Sequence, residues 1–475
     1  MKNVVKIQKS LEEERPVVAS HMSITALQSE GDTPICIPSP PQPLNDDDRQ
    51  PPINVALLRE MSVDVLSKNL QVRHDLVLDE DCRVQNKSKL FSAEMRERSG
   101  KYWRFVDMEL SMLLDPASRP YVDLKLTRLY AVLTQIREML LEIYPNSEIV
   151  HEHIDEAFDL EFILLCIQNG TFDTVSWIGI WVDVIKSNCA PRRDPYVESL
   201  VMYASENRFV DLLRAFLELN NLMHLDIVNF TLGNMRGQFE ASLIAEEQAH
   251  FAKEFGAFRM WTNIVKRLVR EAIPEADNKT PGEVYLDMFL NLHFNQRSPI
   301  PETFSMDRWR IGTFRSDLQS ITIVSTMHLL LKQLCPFKLR DEMIAKWKNE
   351  LQLVLCEEKG RMEGIEDLMI SVVNRCRLEN DLTSLPGESI RGLVSKMLNE
   401  ESMVFKKLTG SLQELMRLKL NNRKMPEKEW YRSKGMELVQ HHIEKLLSKT
   451  QRLFIHNWQV FGKLYTELIR QQQQL

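Results

Sequence analysis

Glycine is scarce in this chain, with 16 residues among 475, whereas it makes up roughly 7% of average proteins. Because glycine-rich loops cradle phosphates and glycine serves many tight hairpins, the shortage disfavours nucleotide-binding loops and sheets rich in hairpins. The usual nucleotide-binding, zinc-protease, nucleophile-elbow and EF-hand motifs are also missing. Composition alone therefore predicts a mostly helical protein and indicates no activity.

Cysteine is sparse and irregularly placed. The seven cysteines are odd in number, lie far apart and form no C-x-x-C pair, which disfavours both a disulfide framework and a thiolate zinc site. His151 and His153 do not supply a metal site, because residues two apart on a helix point about 200° apart. The sequence therefore predicts no catalytic residue, no metal ligand and no cofactor.

A long unbroken apolar run is also missing. The most apolar stretch, residues 162–182, is interrupted by Gln168, Asn169, Gly170 and Asp173, and a membrane-spanning helix needs roughly 20 apolar residues. We expect two buried helices there, joined by a turn at Asn169 and Gly170. The first residues carry several charges, and we expect no secretion signal there. The expected compartment is the cytoplasm, with the nucleus left open.

An excess of positive charge is absent as well. The 60 Lys and Arg residues against 67 Asp and Glu residues give a net charge of -7, which disfavours a globally basic nucleic-acid binder. Charge is nevertheless uneven: residues 138–185 hold ten acidic and no basic residues, whereas residues 406–434 hold nine basic and three acidic ones. Two interpretations remain open. The segments face each other within the fold, or they are separate docking surfaces for partners of opposite charge.

What the chain does contain is helical periodicity. One set of apolar residues is spaced alternately by four and three positions, which places all its members on one helical stripe: Val122, Leu126, Leu129, Leu133, Ile136, Leu140 and Ile143. The last long segment shows a similar pattern. Residues 321–324 have strand propensity, but their apolar neighbours fit a buried helix at least as well. No internal repeat is visible, so we predict an all-α, irregular multi-helix array.

The expected domain organisation has three parts. Residues 1–52 contain 8 of the 20 prolines and no aromatic residue, a composition that predicts a disordered tail. This tail is either a plain extension or a regulatory segment, phosphorylated at Ser39 or docked as polyproline II. Residues 53–298 and 299–475 are expected to be two helical parts packed as one body.

Several short segments resemble one family. They are residues 69–81 (NLQVRHDLVLDED), Tyr102-Trp103, residues 189–194 (CAPRRD), residues 223–232 (MHLDIVNFTL) and residues 246–255 (EEQAHFAKEF). In order and spacing they are similar to the T-complex protein 11 family, which includes a testis protein, its broadly expressed relatives and fungal suppressor-of-kinase proteins. Departures such as His224 and Pro195 mark a divergent member.

The resemblance implies a non-enzymatic helical adaptor in intracellular signal transduction that modulates cAMP/protein kinase A signalling. Its partners are expected to be other proteins and not nucleic acid. Two alternatives stay open at this point: a structural scaffold on a cytoskeletal or flagellar element, and an enzyme with an unrecognised pocket.

The candidate functional residues come from the two most specific motifs: Cys189, Pro191, Arg192, Arg193, Asp194, Asp226, Asn229, Phe230 and Arg236. Asp226, Asn229 and Arg236 share one face of a predicted helix. This face is either a buried polar contact that fixes helix packing or a partner-binding surface. A catalytic role for the Cys189 thiol is disfavoured, because the sequence positions no histidine to activate it.

The residues of the CAPRRD motif also predict local structure. Pro191 is expected to stop the preceding helix, because proline lacks a backbone donor and restricts the residue before it. Asp194 is expected to cap a helix that begins at Pro195. The two arginines are expected to close the preceding helix or to pair with the acidic region upstream.

Overall fold

The structure is a computed structural model that describes residues 49–85, 93–255, 263–272, 279–357 and 360–473. Every regular element in these ranges is a helix, which confirms the all-α prediction. The predicted tail, residues 1–52, lies almost wholly outside the described residues. The described chain forms two compact units, here called the first unit (49–241) and the second unit (242–473). The boundary predicted at 298/299 falls inside the second unit.

The helices of the first unit follow one another closely. They are α1 (Val55–Glu60), α2 (Val63–Ser67), α3 (Leu70–Leu78), α4 (Ala93–Leu114), α5 (Arg128–Ile143), α6 (Glu148–Ala157), α7 (Leu160–Gln168), α8 (Thr174–Asn188), α9 (Asp194–Ser205) and α10 (Phe209–Asn234). Helix α11 (Arg236–Phe255) begins in this unit and continues into the second.

Helix α5 lies at the centre of the first unit. Its residues Leu129, Leu133, Ile136 and Leu140 are fully buried, so the predicted stripe is confirmed within the helix. The stripe starts later than predicted, because the Thr127 hydroxyl accepts a hydrogen bond from the Tyr130 amide at 3.1 Å and caps α5 there. The two residues predicted before this cap therefore lie outside α5, in or beside short 3₁₀ turns.

The apolar stretch at residues 162–182 forms two helices, as predicted. Helix α7 ends at Gln168, and Gly170 adopts a positive φ of 67° in the turn that follows. Asp173 then caps α8 by accepting hydrogen bonds from the amides of Val175 and Ser176. Helix α8 buries Trp181 completely, and its ring lies 5.2 Å from that of Phe158. Helices α8, α9 and α10 pack in succession against this core.

The second unit contains the later part of α11 and nine further helices. They are α12 (Asn263–Ala272), α13 (Pro281–Phe294), α14 (Arg308–Leu334), α15 (Asp341–Cys356), α16 (Arg361–Leu378), α17 (Gly387–Leu398), α18 (Met403–Leu420), α19 (Lys428–Ser433) and α20 (Gln440–Gln473). Residues 321–324 lie within α14 and are buried, so the helical interpretation of this stretch is correct.

A buried polar network fixes the packing of α20 in the second unit. Asn457 accepts hydrogen bonds from the hydroxyls of Tyr465 and Tyr285, at 2.9 and 3.2 Å. Its amide nitrogen donates to the Thr303 carbonyl at 2.7 Å. Since all four residues are buried and buried polar groups must find partners, the network specifies the rotation of α20 against its neighbours.

Candidate functional site

The CAPRRD turn lies between α8 and α9. Helix α8 ends at Asn188, and Cys189 and Ala190 are extended, with ψ of 160° and 140°. Pro191 then begins a 3₁₀ turn, Pro191–Arg193. Pro191 therefore stops the helix as predicted, since the residue before a proline is pushed out of the helical region.

Asp194 does not play the capping role predicted for it. Helix α9 begins at Asp194 itself, and no side chain caps it. The 3₁₀ turn leaves Arg193 already close to helical geometry, with φ of -95° and ψ of -7°, so the chain enters α9 without the extended residue that a cap requires. The carboxylate lies instead in the first helical turn, where negative charge is favourable.

The two arginines of this turn converge on Asp226 of α10. Arg193 donates from Nε to Oδ2 and from Nη2 to Oδ1, each at 3.0 Å, and Arg192 donates to Oδ1 as well. Arg193 is buried and Asp226 nearly so, whereas the Arg192 side chain is 59% exposed. The sequence left open whether these arginines close the preceding helix or pair with the acidic region upstream; the contacts described here are made with Asp226, which lies downstream. The ion pairs of Arg192 and Arg193 with Asp226 join the 189–194 motif to the 223–232 motif.

Asn229, one turn after Asp226, binds the segment that follows α3. Its side-chain oxygen accepts from the Val84 amide at 2.7 Å, and its nitrogen donates to the Val84 carbonyl at 3.1 Å. The same nitrogen donates to the Leu225 carbonyl at 2.8 Å. One amide side chain therefore satisfies both backbone groups of Val84, as a neighbouring strand would.

Arg236 also holds this segment, but from a different helix. Helix α10 ends at Asn234, and Arg236 is the first residue of α11. The prediction that Asp226, Asn229 and Arg236 share a face of one helix is therefore wrong for Arg236. Its guanidinium donates to the carbonyls of Asp79 and Glu80, at 3.4 and 3.2 Å.

Together these contacts form what we call the motif junction: Arg192, Arg193, Asp226, Asn229 and Arg236, with the backbone of residues 79–84. It joins three of the family-like motifs, including the one at residues 69–81. The sequence alone gives no indication of the partners at residues 79–84, because backbone groups carry no residue-type signal. The apolar face of α10 is as predicted, since Leu225, Val228 and Leu232 are buried.

Two apolar residues of α10 beside the junction point to solvent. Phe230 is 71% exposed and Ile227 is 45% exposed. They are three positions apart and so lie one turn from each other on the helix surface. Large apolar side chains are normally the most buried ones. Phe230 is the one candidate residue of the 223–232 motif that the junction does not use.

The environment of the Cys189 thiol disfavours its ionisation. Burial, followed by the negative charges of Asp194 and Asp226, raises the pKa of this thiol. A raised pKa lowers the thiolate fraction, and the thiolate is the nucleophilic form of cysteine.

The acidic and basic segments each make ion pairs inside their own unit. In the first unit, Glu161 pairs with Lys125 at 2.7 Å, and Asp155 with Arg137 at 2.8 Å. In the second, Arg417 pairs with Asp287 at 2.6 Å. Most of the other acidic side chains of residues 148–161 are exposed. The docking interpretation of these segments stays a prediction. In the part of the chain that the structure covers, each helix is too short or too polar to span a bilayer.

Comparison with known proteins identifies the family. The model of the T-complex protein 11 family matches residues 72–470. Protein SOK1 of Saccharomyces cerevisiae is 24% identical over 371 residues, a match that covers 70% of this chain and 40% of that protein.

Mammalian relatives match over more of their length. T-complex protein 11-like X-linked protein 1 of Homo sapiens is 22% identical over 469 residues, covering 89% of each chain. T-complex protein 11 of Mus musculus is 22% identical over 441 residues, covering 82% of this chain and 74% of that protein. No solved structure matches significantly. The family match spans the motif junction and most of both units, and the chain belongs to the T-complex protein 11 family.

Proposed function

We propose that this chain is a non-enzymatic, cytoplasmic adaptor that regulates signal transduction by binding a component of the cAMP/protein kinase A pathway. The observation that carries the proposal is the family match over residues 72–470, with the similarity to Protein SOK1. The resemblance of its motifs to the fungal suppressor-of-kinase proteins points in the same direction.

The chemistry of the motif junction supports a binding role over a catalytic one. Its charged and amide groups are engaged by the chain itself, Arg193 with Asp226 and Asn229 with Val84. A catalytic acid, base or nucleophile needs a group that is free to reach a substrate. The junction is therefore best suited to hold a surface in shape.

The surface that we assign to the partner is the exposed face of α10 at Ile227 and Phe230. Aromatic residues are typical anchors of protein interfaces, because they bury a large area at a small loss of conformational entropy. The neighbouring Asp226 and Asn229 are fixed by their hydrogen bonds. Helix α10 therefore presents Phe230 from a rigid support.

The test is affinity capture of the tagged full-length protein from its native cells, with wild type compared to Phe230→Ala. Tyr121→Ala is the matched control, since Tyr121 is an exposed aromatic side chain of the same unit and lies outside the acidic segment of residues 138–185. We expect kinase-pathway proteins with wild type and with the control, and a loss of about tenfold or more with Phe230→Ala.

Equal recovery of these proteins with Phe230→Ala and wild type would show that the docking site does not include Phe230 of α10. Recovery of cytoskeletal or flagellar proteins in place of kinase-pathway proteins would favour the scaffold alternative. A co-purifying small molecule without any specific protein would favour the enzyme alternative.

A further inference from the structure

Three sulfur atoms from different helices meet in the second unit. Cys335 directly follows α14, Met343 lies in the first turn of α15, and Cys376 lies in the last turn of α16. The Cys376 Sγ is 3.7 Å from the Met343 Sδ. The Cys335 and Cys376 thiols are neighbours that interact electrostatically.

Further contacts fix Cys335 against α16. Its Sγ lies 3.9 Å from the carbonyl oxygen of Val373, which is one turn before Cys376. Arg377, the residue after Cys376, donates to the Leu334 carbonyl at 2.8 Å. The backbone on both sides of the sulfur cluster is therefore held in place without a ligand.

We propose that Cys335, Met343 and Cys376 form a three-sulfur site for a monovalent copper ion. The spacing fits this ion, because three sulfurs around a metal at about 2.3 Å, the length of a zinc–thiolate bond, lie about 4 Å apart. The observed 3.7 Å between Cys376 and Met343 is close to that value. Cys376 and Met343 are therefore already at a separation that suits two ligands of one ion.

The chemical types of the three ligands indicate which metal ion the site would bind. Thiolate and thioether are soft ligands, and together they favour monovalent copper over harder cations. Structural zinc sites usually have four ligands, with nitrogen, oxygen or thiolate donors in place of a thioether. The nearby carboxylate of Glu379 is held by Arg340, at 2.7 Å. Two thiolates and a thioether suit copper(I), whereas a thioether is an unusual ligand for zinc.

The residues around the three sulfurs can offset the negative charge of the bound thiolates and leave a path by which the ion can enter. Binding one copper(I) ion to two thiols releases two protons and leaves a site of net charge -1. The guanidinium of Arg377 lies near Cys335, and those of Arg375 and Arg340 lie near Cys376, where their positive charge can offset that of two metal-bound thiolates. Both cysteines are buried, whereas Met343 is half-buried. The ion reaches the thiols past the methionine.

Burial keeps the cysteines as thiols until metal arrives. It is the largest influence on Cys335 and raises the pKa of that thiol to about 11. A protonated, buried thiol reacts slowly with oxidants, which preserves both ligands. Copper binding is therefore coupled to proton release and becomes tighter as pH rises.

The test is a titration of the reduced, full-length protein with copper(I) under anaerobic conditions, in competition with bicinchoninate, a chromophoric copper(I) chelator. We expect one ion bound per chain and two protons released. Cys335→Ser and Cys376→Ser should each lower the affinity by more than about 100-fold, since loss of outer-shell partners alone costs 10–100-fold.

Two further variants separate binding from folding. Met343→Leu conserves side-chain volume and should leave the circular dichroism unchanged, while lowering copper affinity by at least about tenfold. Cys166→Ser, in α7 of the first unit, is the control and should bind as wild type does. Failure of the reduced wild type to compete for copper, or unchanged affinity in a Cys335→Ser/Cys376→Ser double variant, overturns the proposal.

Discussion

Arg193 donates two hydrogen bonds to Asp226, one from Nε and one from Nη2, and each measures 3.0 Å. Because this pair is largely buried, replacing Asp226 with Ala removes the carboxylate that accepts both of these hydrogen bonds from the buried guanidinium. We expect the free energy of unfolding to fall by about 3–5 kcal/mol, measured by urea denaturation. Arg192→Ala removes the exposed partner of the same carboxylate and should cost less than about 1 kcal/mol. Equal losses of unfolding free energy for Asp226→Ala and Arg192→Ala would contradict the conclusion that the buried Arg193–Asp226 pair carries most of the stabilisation.

The amide of Asn229 is predicted to protect Val84 from hydrogen exchange. Replacing Asn229 with Ala removes both side-chain hydrogen bonds to that residue, and each bond contributes about 0.5–1.5 kcal/mol. Exchange in the peptide that contains residues 79–85 should therefore speed up by about tenfold or more, as read by mass spectrometry. Phe230→Ala, one position along α10, should leave the exchange of this peptide unchanged.

Buried His293 predicts a component of stability that depends on pH. Burial lowers the pKa of His293 to about 4, from an ordinary 6.5. Between these values the unfolded chain binds a proton that the folded chain rejects, so stability is present above pH 6.5 and is lost as pH falls toward 4. The loss approaches about 3 kcal/mol.

The variant that tests this is His293→Phe, because the ring already lies 4.3 Å from Phe289 and 6.0 Å from Phe314. Urea denaturation between about pH 7 and pH 4 should show a smaller decline in stability for the variant than for wild type. His250→Gln, at an exposed position, should follow the wild-type curve. Parallel curves for wild type and His293→Phe would exclude His293 as the cause.

The acidic surface of α6 is predicted to matter for binding and not for folding. Glu152, Asp155 and Glu156 are all exposed, and surface ion pairs such as the one between Asp155 and Arg137 contribute about 0–1 kcal/mol. Changing the three to Lys should leave the melting temperature nearly unchanged and weaken capture of a basic partner. Loss of folding would show instead that these acids serve internal packing.

Much of the fold could be predicted from the sequence, because helix periodicity and helix breaks are local signals. The turn at Gly170 and the helix stop at Pro191 follow from the conformations that these residue types favour. The predicted helix starts were wrong where one hydrogen bond or one short turn decides at which residue the helix begins. The Thr127 hydroxyl moves the start of α5 past Leu126, and a 3₁₀ turn removes the need for Asp194 as a cap.

The candidate site was predicted only in part. The sequence singled out Arg193, Asp226 and Asn229 but not which atoms they bind, since those partners are distant along the chain. The same limit applies to the sulfur cluster. Cys335 and Cys376 form no short spaced motif, and a methionine is seldom counted as a ligand, so spacing alone predicted no thiolate metal site.

The hydrogen bonds between Asn229 and Val84 have a consequence for how the protein is made. The two residues are 145 positions apart, and synthesis proceeds at about 5–20 residues per second. Val84 is therefore added to the chain about 7–30 s before the side chain that will bind it. During that interval residues 79–84 are open to chaperones and proteases, and they dock only once α10 has been completed.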